Sequence, residues 1–156
     1  GGDTLNGVNG QPSPMPISAE HAGRTYDPAP AYRVSRAKIA EFARAIQDEN
    51  PAYFGDHPIA PPTFAAVIAA QAWGSLFGDE ELGLALHRTV HADQTFDFHR
   101  PLREGDDVVA RLTIERVRSR GNLDMVTILV TLTVGGEAVC DARSTLMHTR
   151  EEASHD

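Results

Sequence analysis

The residues best suited to take part in a reaction lie in one short segment, Asp48-Glu49-Asn50-Pro51, which Tyr53 and His57 follow closely. A carboxylate and an imidazole held near one substrate could move protons as a general base and a general acid. The same residue types also suit an ordinary turn, because Asp and Asn side chains bond to nearby backbone N–H groups. Tyr53 beside Phe54 has the pattern of a packing pair. The segment therefore indicates either a proton-transfer site or a structural turn.

A second set of polar residues, His91, Asp93 and His99, follows even-numbered steps that would place the three side chains on one strand face. Imidazole and carboxylate groups bind metal ions, but the sequence offers no fourth ligand of matching spacing. A solvated or dimer-facing polar face explains the pattern better, so we expect no metal site. Nearby arginines could bind an acidic carrier protein or pair with surface carboxylates, and these are Arg88, Arg100 and Arg103.

Composition and charge exclude several classes of function. The chain has 156 residues, of which 41% are hydrophobic, and this suits one domain with a sizeable core. No run approaches the roughly 20 apolar residues that a membrane-spanning helix needs. A net charge of −8 has the wrong sign for a general nucleic-acid binder. The single cysteine, Cys140, cannot form an internal disulfide, and no signal segment is visible, so we expect a cytoplasmic protein.

The two ends of the sequence lack the residues that a folded segment needs. Residues 1–14 contain four glycines, two prolines and no aromatic residue, so burial cannot offset their ordering entropy. We interpret them as an expression tag or a flexible arm, with Met15 as the natural first residue. Residues 151–156 are polar and are expected to fray. The predicted single domain therefore spans residues 15–150.

Two helices are predicted ahead of the long strands. Ser35 can cap the first, which ends at Ile46 and shows the apolar spacing of an amphipathic helix. The second is predicted from Thr63 to Phe77, after Pro61-Pro62 and before Gly78. Its residues are apolar on nearly every side, so we expect this helix to be enclosed.

From residue 88 onward the hydrophobic period changes to two, which predicts long strands with one apolar face. The apolar positions of the first such strand are Val90, Ala92, Phe96 and Phe98. Gly135-Gly136 predicts a tight hairpin between two later strands. A short strand at Tyr32 and Val34 precedes the first helix. These features predict an α+β fold, in which a curved antiparallel sheet wraps around the second helix.

The order of several short motifs resembles the MaoC-type (R)-specific hydratase/dehydratase family, whose members have the hot-dog fold. The resemblance covers roughly residues 18–150. It is greatest to the branch that contains the two-subunit (3R)-hydroxyacyl-ACP dehydratases of actinobacterial fatty-acid and mycolic-acid elongation. The motifs are Tyr32-Arg33-Val34-Ser35, Asp48-Glu49-Asn50-Pro51, Ile59-Ala60-Pro61-Pro62-Thr63-Phe64, His91-Ala92-Asp93-Gln94-Thr95-Phe96, His99-Arg100-Pro101-Leu102 and Gly105-Asp106.

In that family a hydratase motif supplies an aspartate, an asparagine two residues later, a proline, and a histidine five residues beyond the aspartate. Asp48, Asn50 and Pro51 match this motif, whereas Tyr53 stands at the histidine position. A phenol, with an ordinary pKa of about 10, is a poor substitute for an imidazole that titrates near neutrality. His57, brought in by a shifted loop, is the alternative source of that imidazole.

The start of the second helix also departs from the family. Other members place a glycine there, whose backbone N–H polarises the thioester carbonyl as an oxyanion hole. Pro62 or Thr63 takes that position here, and proline has no N–H to donate. The resemblance implies Asp48 and Asn50 as the residues at catalytic positions. The acyl-binding residues that it implies are Tyr53, Pro62, Thr63, Phe64, Ala66 and Ala69.

The resemblance implies that this chain is one subunit of a (3R)-hydroxyacyl-ACP or acyl-CoA dehydratase. In the two-subunit enzymes one subunit lacks the catalytic pair and mainly shapes the acyl tunnel, and this chain has the features of that subunit. The elimination needs no cofactor, because the thioester acidifies the α-proton. The alternatives are a hot-dog thioesterase, for which the central helix offers Gln71 and no carboxylate, and a non-enzymatic acyl-binding subunit. The implied partner is a second copy or a catalytic hot-dog subunit.

Overall fold

The computed structural model describes residues 16–151, in which five strands form one antiparallel sheet. The strands are β1 (Tyr32–Arg33), β2 (Thr89–Phe98), β3 (Asp107–Arg120), β4 (Leu123–Val134) and β5 (Glu137–Thr149). The helices are α1 (Arg36–Ala45), α2 (Phe64–Ala70) and α3 (Trp73–Phe77). Short 3₁₀ turns lie at Ala19–His21, Pro51–Tyr53 and Leu86–Arg88. The strand order is β1-β3-β4-β5-β2, so β1 and β2 are the edges.

The inner face of the sheet carries the core. Side chains of β3 and β4 alternate between buried and more exposed positions, and Leu112, Ile128 and Leu132 are fully buried. The two short helices α2 and α3 pack against this face and bury Ile68 and Leu76. This arrangement confirms the predicted α+β architecture of a sheet around a helix. The domain boundaries stay predictions, and the expectations for residues 1–15 and 152–156 lie outside the described residues.

Local signals correctly predicted one helix end and one hairpin. The hydroxyl of Ser35 accepts a hydrogen bond from the backbone N–H of Lys38 at 3.1 Å, which confirms the N-cap of α1. Gly135 and Gly136 join β4 to β5 with φ values of +58° and +85°, which an L-residue rarely adopts. No helix among residues 16–151 is both long enough and apolar enough to cross a bilayer.

The prediction of one continuous, enclosed helix from Thr63 to Phe77 is wrong. Gln71 and Ala72 donate their backbone N–H groups to carbonyls three residues back, each at 3.0 Å, and the helix divides there into α2 and α3. The inner side of α2 is buried, but Val67 on its other side is 36% exposed. The single chain therefore leaves part of an apolar helix uncovered.

The edge strand β2 contains a bulge between His91 and Asp93 that reverses its alternation. His91 is paired with buried Leu146, whereas Asp93 is paired with Thr145 on the outer face. Because the bulge adds one residue, the predicted apolar face is wrong in the first half of the strand, where Val90 is 66% exposed. His91 and Asp93 consequently do not share a face. Among residues 16–151 no group of three metal-ligating side chains comes together.

A buried ionic cluster closes the end of the sheet where β4 begins and β5 ends. Asp124 is fully buried, and its carboxylate accepts hydrogen bonds from Ser119 at 2.6 Å, Arg150 at 2.7 Å and His148 at 3.1 Å. The Nε2 of His148 accepts a hydrogen bond from the backbone N–H of Ala85 at 3.1 Å. Its Nδ1 therefore carries the hydrogen and donates the hydrogen bond to Asp124.

The polar groups of this cluster make their hydrogen bonds mainly to one another. Burial alone would raise the pKa of Asp124, but the hydrogen bonds from Arg150, Ser119 and His148 outweigh it and hold that pKa below its ordinary value. Arg150 also donates to the carbonyl of Ile17 at 3.3 Å, which links the first described residues to the last strand. The arrangement therefore stabilises the fold and leaves no group of the cluster free for chemistry.

Candidate functional site

Three segments of the chain meet around one cleft of about 430 Å³, which we call the β2-end cleft. They are the turn after α1, the segment that leads into α2, and the residues at the end of β2. The apolar lining is Ile59, Ala60, Pro62, Phe98 and Pro101. The polar lining is Asn50, Tyr53, His99 and Arg100. Its volume and mainly apolar walls are those of a small-molecule pocket.

Backbone hydrogen bonds hold the three segments together. The N–H of Ile59 donates to the carbonyl of Ala52 at 3.0 Å, which joins the second segment to the first. The N–H of Ala60 donates to the carbonyl of Leu102 at 2.8 Å, which joins it to the third. Backbone contacts thus join the three walls of the cleft to one another.

The turn after α1 explains the spacing of Asp48 and Asn50. Gln47 adopts a left-handed φ of +58° at the end of α1, and the N–H of Asp48 donates to the carbonyl of Ala43 at 2.9 Å. The Asp48 carboxylate then accepts the N–H of Asn50 at 3.1 Å, and the Asn50 side chain accepts the N–H of Ala52 at 3.0 Å. Both side chains therefore build the turn, and Asn50 also lines the cleft.

Tyr53 occupies the cleft, and His57 does not. Tyr53 is only 7% exposed, and within residues 16–151 its hydroxyl has no hydrogen-bond partner. Tyr53 is one of the residues that line the cleft. His57 is exposed in the loop after the 3₁₀ turn and is not among the lining residues.

The remaining residues predicted to bind an acyl chain are divided between the cleft and the core. Pro62 lines the cleft, whereas Phe64 is buried and packs edge-to-face on Phe42 with ring centroids 5.2 Å apart. Ala69 is 1% exposed within the core. Thr63 and Ala66 are not lining residues of the cleft. Their roles in binding stay predictions.

The helix start has one uncommitted backbone donor. The N–H groups of Phe64, Ala65 and Ala66 donate to the carbonyls of Pro61, Pro62 and Thr63 at 2.9 to 3.2 Å. Within residues 16–151 the N–H of Thr63 donates to no backbone carbonyl. Of the two candidates for the position of the family glycine, Pro62 and Thr63, only Thr63 has an N–H to offer.

Several lining residues were not among the predicted site residues. Phe98 ends β2, and His99, Arg100 and Pro101 belong to a motif that supports the family resemblance, but their proximity to Tyr53 depends on contacts across 45 residues of chain or more. The imidazole of His99 has its Nε2 3.6 Å from a carboxylate oxygen of Asp141. That distance is too long for a hydrogen bond.

The three arginines do not form one patch. Arg100 makes two hydrogen bonds to the carboxylate of Asp106, at 2.9 and 3.2 Å, and this pairing raises the pKa of Arg100. Arg88 lies at the opposite end of β2, where it lines a second cleft of about 330 Å³, here called the β2-start cleft. The two cations thus belong to different sites on this chain.

Comparison with known proteins identifies the family. Residues 20–142 match the family model described as "FAS1-like, dehydratase domain region". The chain belongs to this FAS1-like dehydratase family. A UPF0336 protein of Cutibacterium acnes is 52% identical to it over 141 residues, covering 90% of this chain and 99% of the relative.

Two solved structures of dehydratases are similar to this chain. One chain of the (3R)-hydroxyacyl-ACP dehydratase complex HadBC of Mycobacterium tuberculosis is 32% identical to this chain, with a TM-score of 0.72. The match covers 81% of this chain and 96% of that one. A MaoC-like dehydratase is 25% identical with a TM-score of 0.74, covering 83% of this chain and 42% of the other. These similarities confirm the hot-dog fold and the resemblance to MaoC-type dehydratases.

Proposed function

We propose that this chain is the acyl-binding subunit of a (3R)-hydroxyacyl thioester dehydratase, whose partner carries an intact Asp-to-His motif. The reaction breaks the β-carbon–oxygen bond and removes an α-proton, so that a (3R)-3-hydroxyacyl thioester yields a trans-2-enoyl thioester and water. The substrate is carried on acyl carrier protein or CoA. The observation that supports this role most directly is the apolar β2-end cleft, in which Tyr53 takes the place of the motif histidine.

The contacts of Asp48 support a non-catalytic subunit. Its carboxylate already accepts a backbone N–H in the turn, and the residue five positions later has no imidazole. Gln71, where a hot-dog thioesterase would need a carboxylate, lies exposed at the division between α2 and α3 and away from the cleft. A dehydratase subunit therefore fits the contacts of this chain better than a thioesterase.

Asp48→Asn in the complex with the partner subunit is expected to change turnover by less than about twofold. An asparagine oxygen can still accept the N–H of Asn50, so the turn that lines the cleft survives. The measurement is steady-state hydration of crotonyl-CoA and longer trans-2-enoyl-CoA substrates. Asp56→Asn, in the exposed loop, is the matched control. Loss of turnover with Asp48→Asn alone would show that this carboxylate takes part in the chemistry and would contradict the proposal.

The uncovered surfaces of the chain support a dimer. β2 is a ten-residue edge strand with one unpaired side, and Val90 on it is 66% exposed. An open edge of this length is a template for pairing with another chain. The apolar side of α2 that carries Val67 is also uncovered. The similarity to a chain of the HadBC complex supports a hot-dog subunit as the occupant.

Light scattering at micromolar concentration is expected to give the mass of a dimer for the isolated chain. Gln94→Pro is expected to shift the mass toward the monomer. His99 donates its N–H to β5, so the alternation of the ladder turns the N–H of Gln94 to the free edge, where proline removes a donor. Circular dichroism of Gln94→Pro that matches the unmodified chain is the control for folding, because this N–H takes no part in the pairing of β2 with β5. A monomeric mass for the unmodified chain would contradict the dimer.

A further inference from the structure

The two clefts of this chain lie at opposite ends of the same free strand edge. The β2-end cleft is lined by Phe98 to Pro101, directly after the last residue of β2. The β2-start cleft is lined by His87 and Arg88, directly before its first residue, Thr89. At about 3.4 Å per residue, the ends of the strand lie roughly 30 Å apart within one chain. The two sites therefore cannot act on one small ligand within a monomer.

The guanidinium of Arg88 is the uncommitted cation of the β2-start cleft. Arg150 in the same cleft is tied to buried Asp124 at 2.7 Å. Arg88 makes no ion pair and no side-chain hydrogen bond with any residue of the described range 16–151, although it is partly buried. Glu151 and buried Asp124 line the same cleft, but Arg88 pairs with neither of them. In a chain with a net charge of −8, a cation held at a strand edge without an ion pair is suited to binding an anion from outside the chain.

Two β2 edges that form one continuous sheet with the helices of both protomers on the same face are related by a two-fold axis perpendicular to the sheet, which makes the two strands antiparallel. Pairing over the whole free edge, Thr89 to Phe98, places Thr89 of one protomer opposite Phe98 of the other. Continuing by one residue, Arg88 of one protomer comes opposite residue 99 of its partner. Neighbouring strands lie about 4.8 Å apart, which is well within the reach of an arginine side chain. Each β2-end cleft then has the Arg88 of the other protomer at its rim.

We propose that Arg88 acts across a dimer of two copies of this chain. It binds the phosphate of an acyl thioester whose acyl group lies in the β2-end cleft of the other copy. This inference rests on the proposed function, since CoA and carrier-protein thioesters share a phosphate on the pantetheine arm. A phosphate is too costly to bury in an apolar cleft and must stay at the rim. A guanidinium binds phosphate through two parallel N–H···O bonds, which a single ammonium cannot reproduce.

The first experiment measures binding of decanoyl-CoA and of phosphate-free decanoyl-pantetheine to the full chain by titration calorimetry. Neither thioester can be hydrated, so turnover does not interfere. Arg88→Ala is expected to weaken decanoyl-CoA binding by about tenfold, as expected for loss of a charge-assisted hydrogen bond, and to leave decanoyl-pantetheine unchanged. Arg88→Lys should recover part of the loss. Arg118→Ala, an exposed arginine on β3, should match the unmodified chain.

The second experiment tests the geometry across the dimer. Arg88→Cys with His99→Cys is expected to form an interchain disulfide under mild oxidation, because paired strands bring such residues within disulfide range. Arg88→Cys alone should not crosslink, since two copies of residue 88 would be separated by about 35 Å along the paired edge. Cys140 does not compete, because it is fully buried and its burial raises the pKa of its thiol to about 12.

The outcomes separate this inference from the proposed function. Failure to bind either thioester would overturn the proposed function itself. Binding of both, with equal effects of Arg88→Ala on the two or with no effect on either, would overturn the role of Arg88 alone. Absence of the interchain disulfide would overturn the arrangement across the dimer. Decanoyl-carrier protein, titrated in the same way, shows whether the supporting effect belongs to the carrier's phosphodiester or to the CoA phosphates.

Discussion

The isolated chain is expected to hydrate trans-2-enoyl thioesters about 10²–10⁴-fold more slowly than its complex with a partner that carries the intact motif. That range is the usual contribution of a positioned general acid or base. The cleft of this chain has Tyr53 where the motif places its histidine, and His57 stays in an exposed loop outside the lining. Without the motif imidazole, proton exchange at the β-oxygen must proceed through a weaker group or through water.

The measurement is the steady-state rate with crotonyl-CoA and longer substrates, for the chain alone and after addition of the partner subunit. The partner to test is a hot-dog chain that carries the intact Asp-to-His motif. Turnover by the isolated chain that equals the rate of the complex would contradict the expectation. Tyr53→Phe, His57→Gln and His99→Gln would then identify which group transfers the proton.

Asp124→Ala is expected to lower the free energy of unfolding by about 3 kcal/mol, the lower end of the range for breaking a buried ion pair. The lower end applies because Arg150 is 35% exposed and can turn toward water, whereas His148 keeps a buried N–H without its acceptor. For a chain of this size the corresponding fall in Tm is roughly 10 °C. Thermal and urea unfolding at a fixed protein concentration measure the change.

Asp107→Ala is the control for this prediction, because Asp107 pairs with Arg33 in full contact with solvent and its loss should barely move Tm. Arg150→Ala combined with Asp124→Ala should cost less than the sum of the two single changes, since they share one interaction. Additive losses would show that Asp124 and Arg150 do not stabilise the fold through a shared interaction. A Tm for Asp124→Ala equal to that of the control would show that the cluster does not stabilise the fold.

The pH dependence of stability follows from the same carboxylate. The pKa of Asp124 is lowered in the folded chain, so its contribution is present above the unfolded value of about 4 and is lost as the pH falls through the folded pKa. Asp124→Asn should therefore be less stable than the unmodified chain near neutral pH. The difference should shrink in acid, because protonation of Asp124 removes the same ion pair.

The accuracy of the sequence predictions depended on how local each interaction is. Ser35 caps its own helix, and Gly135-Gly136 makes its own turn, so both were predictable from neighbouring residues. The bulge in β2 and the division of the central helix were not. Each depends on how a segment fits against the sheet, and the alternation of apolar residues carries no signal for one additional residue.

The candidate site was predictable in part for the same reason. Asp48, Asn50 and Tyr53 lie in one turn, and their spacing was visible in the sequence as a motif. The opposite wall, at the end of β2, reaches them through the backbone bond from Ala60 to Leu102, which joins residues 42 positions apart. No local pattern predicts that contact, so Phe98 and His99 were found only in the folded chain.

The bulge in β2 also divides the strand into halves with opposite parity. Before it, the odd-numbered positions 89 and 91 face the helices, and after it the even-numbered positions 94, 96 and 98 do so. In a substitution scan, polar residues should therefore be tolerated at even-numbered positions before the bulge and at odd-numbered positions after it. Deleting Ala92 would give a regular strand in which both halves keep their present faces, because His91 and Asp93 already pair with the consecutive residues Leu146 and Thr145. Relatives can therefore lose this residue without repacking either cleft.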